Sequence, residues 1–149
     1  MGIGKSSMTL VFTLLAALLL ASQSFAQQDV IEKRQKLMKA NSADAKALKA
    51  AVESKDYATI EAKAKEIVGQ AGQIVSLFPK GSTQGETRAM ASIWEKSDEF
   101  AKDAKSLSAA ASGLAEAAKS KNDDAIEQNA KALNAACNSC HKAFRAPKK

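Results

Sequence analysis

The sequence predicts an all-α fold, an antiparallel four-helix bundle, on three observations. Apolar and small residues recur at alternating steps of three and four along most of the chain, which gathers them on one face of a helix. No stretch alternates apolar and polar residues with β-branched enrichment, so no sheet is expected. The chain has 149 residues with only two Pro and seven Gly, a composition that suits one compact domain and argues against disorder.

The N-terminus precedes the bundle. Lys5 stands before an apolar run from Leu10 to Ala21, and Ser24 and Ala26 supply small residues where a signal peptidase reads. This is the layout of a secretory leader, and the run is shorter than the roughly 20 apolar residues of a membrane span. An uncleaved anchor is the competing reading. Residues 1–26 are therefore expected to be a cleaved signal peptide and 27–149 the mature domain, exported and with no stable membrane span after cleavage.

Four helical stretches follow. The first, over about 28–53, carries Val30, Leu37 with Met38, Ala45, Leu48 and Val52. Tyr57, Ile60, Ala64, Ile67, Ala71 and Ile74 mark a second over about 57–77. The third, over about 88–119, runs through Met90, Ile93, Phe100, Ala104, Leu107, Ala111, Leu114 and Ala118, and the fourth, over about 123–145, through Ile126, Ala130, Leu133, Cys137, Cys140 and Phe144. Ser54-Lys55-Asp56 and Ser120-Lys121-Asn122-Asp123 offer N-cap residues at two short turns. Phe78-Pro79-Lys80-Gly81-Ser82-Thr83-Gln84-Gly85 reads as the one long loop. Two short turns and one long connection make two hairpins, and they resemble each other: Ser54-Lys55-Asp56…Ile60-Glu61…Ala64-Lys65 recurs as Ser120-Lys121-Asn122…Ile126-Glu127…Ala130-Lys131.

The formal charge of +6 is carried by lysines interspersed with acids. In an exported chain this describes a mixed-charge helical surface with a preference for acidic partners; nucleic acid is not expected. Aromatic residues are few, and a core of Ala, Leu and Ile is thin for this length. Either the helices pack very closely or something other than side chains fills the middle.

The two cysteines and the single histidine of the chain fall within Cys137-Asn138-Ser139-Cys140-His141. C-x-x-C-H is the attachment motif of c-type haem: two thiols add to the porphyrin vinyl groups and the next residue presents an imidazole to the iron. At about 100° per residue the three side chains share one helical face, and the cysteines continue the apolar stripe between Leu133 and Phe144. The competing readings fit less well. A tetrahedral zinc site needs four ligands, thioredoxin-like chemistry belongs to an α/β fold, and a structural disulfide leaves the adjacent His unexplained. With no second His and no nucleophile–base pair, nothing marks an enzyme.

These residues resemble the class II cytochromes c, which include the cytochromes c-prime. The resemblance rests on Cys137-Asn138-Ser139-Cys140-His141-Lys142-Ala143-Phe144-Arg145, on Lys33-Arg34-Gln35, on Phe78-Pro79…Gly81-Ser82, and on Thr87-Arg88-Ala89…Ile93-Trp94; Ala91-Ser92 stands where relatives often carry Pro-Glu. It implies a four-helix bundle around one haem c, covalent through Cys137 and Cys140, with His141 on the iron. It also implies that Arg34 pairs with a haem propionate, that Arg145 lies beside the proximal pocket, and that Met38 occupies the distal position. A Met there implies six-coordinate His/Met iron and a periplasmic one-electron carrier; the alternative is a five-coordinate cytochrome c-prime that binds NO or CO. Trp94 and Phe100 are expected to pack the core and the haem. Redox partner proteins with acidic docking surfaces are expected to meet Lys33, Lys36, Lys39, Lys131 and Lys142, and the family admits a homodimer. A haem-free helical interaction protein is the reading from a different class.

Overall fold

The computed structural model describes the backbone of residues 5–83 and 85–148, with side chains from Gln27 onward within those ranges. Its elements are α1 (Lys5–Ser54), α2 (Tyr57–Ala71), a 3-10 turn at Val75–Leu77, the one-turn α3 (Ser92–Glu95), α4 (Ser97–Lys119) and α5 (Asp123–Phe144). The four long helices form the expected bundle. The first four residues of the expected leader lie outside the described residues; of the rest only the backbone is described, as the start of α1. That helix starts well before residue 28, because no Pro or Gly interrupts Lys5–Ser54. Among the described residues no helix is long and apolar enough to cross a membrane.

Both short turns are built alike. After α1, Lys55 takes a left-handed φ of 55°, the Asp56 N–H bonds the Ala51 carbonyl at 2.9 Å, and the Asp56 carboxylate accepts the Thr59 N–H at 3.1 Å. After α4, Lys121 has φ 52°, the Asn122 N–H bonds the Ala117 carbonyl at 3.0 Å, and the Asn122 side chain accepts the Ala125 N–H at 3.0 Å. One left-handed residue reverses the chain and the next caps the following helix. The turns lie side by side: the Asp123 carboxylate accepts from the Lys55 ammonium at 2.5 Å and from the Tyr57 hydroxyl at 3.0 Å.

The long connection departs from expectation at both ends. The second helix stops at Ala71 rather than 77, where Gly72 caps it by donating to the carbonyls of Val68 and Gln70; Gly69 and Gly72 weaken helical preference there. The third does not begin at 88. Arg88–Met90 is extended and lies antiparallel to the C-terminal residues, with the Met90 N–H on the Phe144 carbonyl at 3.0 Å and the Ala146 N–H on the Arg88 carbonyl at 2.8 Å. Those bonds satisfy backbone groups that a helix would otherwise have used. Helix α3 then makes one turn before Lys96, with φ −123° and ψ 49°, breaks it from α4.

The helices pack in a chain of neighbours: α1 on α2, α2 on α4, α4 on α5, while α1 and α5 touch little. Ile60, Ala64, Ile67, Ala111 and Leu114 are fully enclosed between them. Close approach of α4 and α5 depends on Gly113, where a Cβ would come within 2.7 Å of Asn129 Cγ. Close packing thus accounts for part of a core short of large side chains.

Candidate functional site

Helix α5 is well specified from its own sequence. Asn122 caps it, Asp123 and Asp124 sit in its first turn and Lys142 in its last, each charge placed to complement the helix dipole. Its buried stripe is Ile126, Leu133, Ala136 and Phe144. Cys137 and Cys140 are half-buried on the edge of that stripe and pack against the core, and both are free thiols. His141 follows, half-buried on the same side.

The chemistry of the trio is set by partial burial. Desolvation, then Asp103 and Cys137, push the Cys140 thiol up to about 11, and desolvation raises Cys137 as well. Protonated thiols are poor nucleophiles, and the pair sits near the C-terminal end of α5 rather than at a helix N-terminus, where reactive thiol pairs are activated. His141 shifts the other way: burial, then the nearby Arg145 and Arg88 guanidinium groups, disfavour its protonation. A neutral imidazole keeps the lone pair a metal ligand needs. Among the described residues no three His, Cys, Asp or Glu side chains converge on a metal position.

Aromatic rings line the same end of the bundle. Phe78, Phe100 and Phe144 stack edge-to-face, with centroids 5.0 and 5.3 Å apart, and Trp94 donates its indole N–H to the Phe78 carbonyl at 3.0 Å. Phe100 is buried and Trp94 half-buried, as core packing requires.

Arg34 is no surface residue: it is 2% exposed. Its guanidinium lies 4.8 Å from the Phe78 ring centroid and donates to Ser82 Oγ at 2.9 Å, the Ser82 carbonyl at 2.8 Å and Thr87 Oγ1 at 2.7 Å. All three acceptors are neutral, so the buried cation is solvated by the loop and a ring face rather than paired with a carboxylate. Met38, one turn further along α1, is half-buried and packs against the core that also receives Cys137 and Cys140. The expected trio and Met38 therefore belong to α5 and α1, two long helices of the bundle that touch each other little. Arg145 is exposed and ends α5 in extended conformation, its N–H on the His141 carbonyl at 3.1 Å. Of the lysines expected to meet partners, Lys33 and Lys131 are tied to Asp29 and Glu127 within their own helices, and Lys36, Lys39 and Lys142 are exposed.

A family model described as Cytochrome C' matches residues 29–145. The chain belongs to the cytochrome c' family. It is 33% identical over 118 residues to cytochrome c' of Pararhodospirillum photometricum, covering 77% of this chain and 94% of that protein. It is 35% identical over 147 residues to cytochrome c-554 of Cereibacter sphaeroides, covering 93% and 95%. Cytochrome c prime from Shewanella frigidimarina superposes with a TM-score of 0.76 at 26% identity, over 81% of this chain and 97% of that one. The cofactor is therefore haem c, and the protein is a haem-bearing helical bundle of the electron-transport class. The residues present fit that group: two free thiols and a neutral imidazole at i, i+3 and i+4 on one partly apolar face.

Ser82, Thr87 and Arg88 carry the family resemblance in the sequence but are given no role there; they are the loop residues that receive Arg34 and hold the C-terminus. One signal was available. A cationic residue in step with the apolar stripe of the first helix has to find acceptors inside the fold.

Proposed function

We propose that this chain is an exported mono-haem protein of the cytochrome c' type, which binds small diatomic ligands at a five-coordinate iron. Cys137 and Cys140 would carry the thioether links and His141 would be the protein ligand to iron. When bound, haem c supplies a one-electron couple and an axial position for a neutral ligand. The reading is supported by the thiol pair and neutral imidazole on one face of α5, and by the cytochrome c' relatives. It takes precedence over the six-coordinate carrier expected from Met38, because the family match and the structural likeness are both to cytochromes c'. Arg34, a buried cation without a carboxylate partner, has further N–H groups with which to meet a propionate. Export through the leader of residues 1–26 would place the protein in the periplasm, where thiols and haem are joined.

A second reading has its own support. Met38 is half-buried on α1, packed on the core that receives both cysteines, and one relative is a cytochrome c-554. A thioether at that position would complete a His/Met pair, raise the reduction potential and close the site to gases. Visible spectra of the oxidised and reduced holoprotein, with and without carbon monoxide, decide between the two. A high-spin spectrum that responds to carbon monoxide upholds the first reading. A low-spin spectrum that converts to high-spin in Met38→Leu establishes the second.

A further inference from the structure

The connection between α2 and α4 ties the helix that bears Met38 to the end of the helix that bears His141. Its first anchor is Arg34 on α1, whose guanidinium donates to Thr87 Oγ1 at 2.7 Å. The same oxygen accepts the Ala89 N–H at 3.1 Å. From there the chain runs extended along the C-terminus. The Arg88 carbonyl accepts from Ala146 N–H at 2.8 Å, Arg88 Nε donates to the Ala146 carbonyl at 2.7 Å, and the Met90 N–H reaches the Phe144 carbonyl at 3.0 Å. Ser92 Oγ adds a bond to the Ala143 carbonyl at 3.0 Å. On the far side, the Arg145 N–H closes on the His141 carbonyl at 3.1 Å.

We propose that Thr87 is a positioning residue. Its hydroxyl couples the buried Arg34 of α1 to the strap of residues 88–90, and the strap holds the last turn of α5, and with it His141, in fixed register against α1. Three features carry this. The Thr87 oxygen is where the α1 anchor and the strap meet, since Arg34 and Ala89 both donate to it. The helices it links make few direct contacts, so register between them has few other determinants. Finally, the strap's partners are residues 143–146, within five residues of the imidazole, so slack in the strap is slack in the seat of His141. The inference rests on the reading that His141 ligates the haem iron.

The test uses the full-length holoprotein. Thr87→Val keeps the shape and removes the acceptor, while Thr87→Ser retains it. Amide hydrogen exchange at Met90 and Ala146 should speed up about tenfold or more in Thr87→Val, while the long helices keep their protection. The reduction potential should move from the wild-type value, and the spectrum of the reduced form should broaden. Thr87→Ser should restore all three. Should Thr87→Val fail to fold, Ala146→Pro removes the strap donor from the other side, at a site where Arg145 (φ −124°, ψ 120°) already has the backbone a following proline requires; faster exchange at Met90, a moved potential and a broadened spectrum are expected there. Faster exchange with an unchanged potential and spectrum would reduce the strap to a fastening and overturn the positioning role; unchanged exchange would overturn the coupling itself. A wild-type protein whose haem lacks His ligation would defeat the proposed function instead, and the exchange experiment would still report on the strap.

Discussion

The two hairpins of this bundle share a turn and differ in nearly everything the turn leads to. At both turns a Ser hydroxyl bonds back to the last helical carbonyls, a Lys adopts a left-handed φ, and an Asp or Asn caps the next helix. In the first hairpin, however, α1 meets α2 partly through polar groups: Asp44 is buried, taking hydrogen bonds from Lys63 at 3.1 Å and Gln70 at 2.5 Å. Burial opposes ionisation of Asp44, but those bonds outweigh it and hold the carboxyl below its usual range. In the second hairpin α4 and α5 bury apolar and small residues, with Phe100 stacked on Phe144 and Gly113 lying against Asn129. The repeat supplies direction and spacing only. Side chains off the turn decide that the second hairpin is the one with the tight glycine contact, and that is where the thiols are.

The largest test of the difference is chemical. Cys137→Ala with Cys140→Ala should give a chain whose mass lacks added haem and whose yield of soluble helical protein collapses, since a cofactor held only by the native state adds its binding energy to stability. The equivalent double change in the first hairpin, Ile60→Ala with Ile67→Ala, would damage packing without altering the haem mass. An apo form as stable as the wild type would contradict the first expectation.

Glycine substitutions sharpen the packing contrast. Gly69 in the first hairpin has nothing within 4 Å of an added Cβ, so Gly69→Ala should stabilise by about 0.5–1 kcal/mol through lost unfolded-state freedom. Gly113→Ala in the second should destabilise, by about 1–3 kcal/mol for an overpacked contact, with part of the loss recovered by Asn129→Ala. Thermal unfolding of the three variants reads the sign directly.

The caps differ in their response to acid. Hydrogen bonds from the Thr59 side chain and then its backbone N–H depress the Asp56 pKa. A carboxylate depressed on folding contributes stability that is present above its unfolded pKa, about 3.9, and lost as the pH falls through the lower folded value. The advantage of wild type over Asp56→Ala should therefore shrink below about pH 4. Asn122 does not titrate, so Asn122→Ala should cost about 1 kcal/mol at any pH. Melting curves across that range compare them.

Surface charge gives the smallest expected effect. Lys39→Glu on the first hairpin and Lys142→Glu on the second should each slow electron exchange with an acidic partner protein at low salt. The difference should fade as the screening length drops to ~8 Å. Equal rates in both variants and wild type at low salt would leave these lysines as solubilising surface.

Much of this was legible from residue order. The helical face of the C-x-x-C-H motif, the stripes over 57–71, 97–119 and 123–144 and both capped turns are local patterns, each satisfied within about two turns of helix, and these appear where expected. The start of the third helix was not legible. Arg88–Met90 has ordinary helical residues, and only pairing with Phe144–Ala146 draws it into an extended path. The axial partner of His141 was not legible either, because Met38 can serve as packing or as a ligand from the same position.

By itself the sequence determined an α-helical bundle, its two short turns and the face of the last helix that carries the thiols and imidazole, because these depend on periodicity and neighbours a few residues away. Tertiary structure alone decided which acceptors Arg34 finds and that the end of α5 is strapped to the loop. Arg34 finds Ser82 at a separation of 48 residues, and Arg88 finds Ala146 at 58. Hydrogen-bond partners so far apart leave no periodic trace, and they meet only once packing of the helices has brought their backbones together.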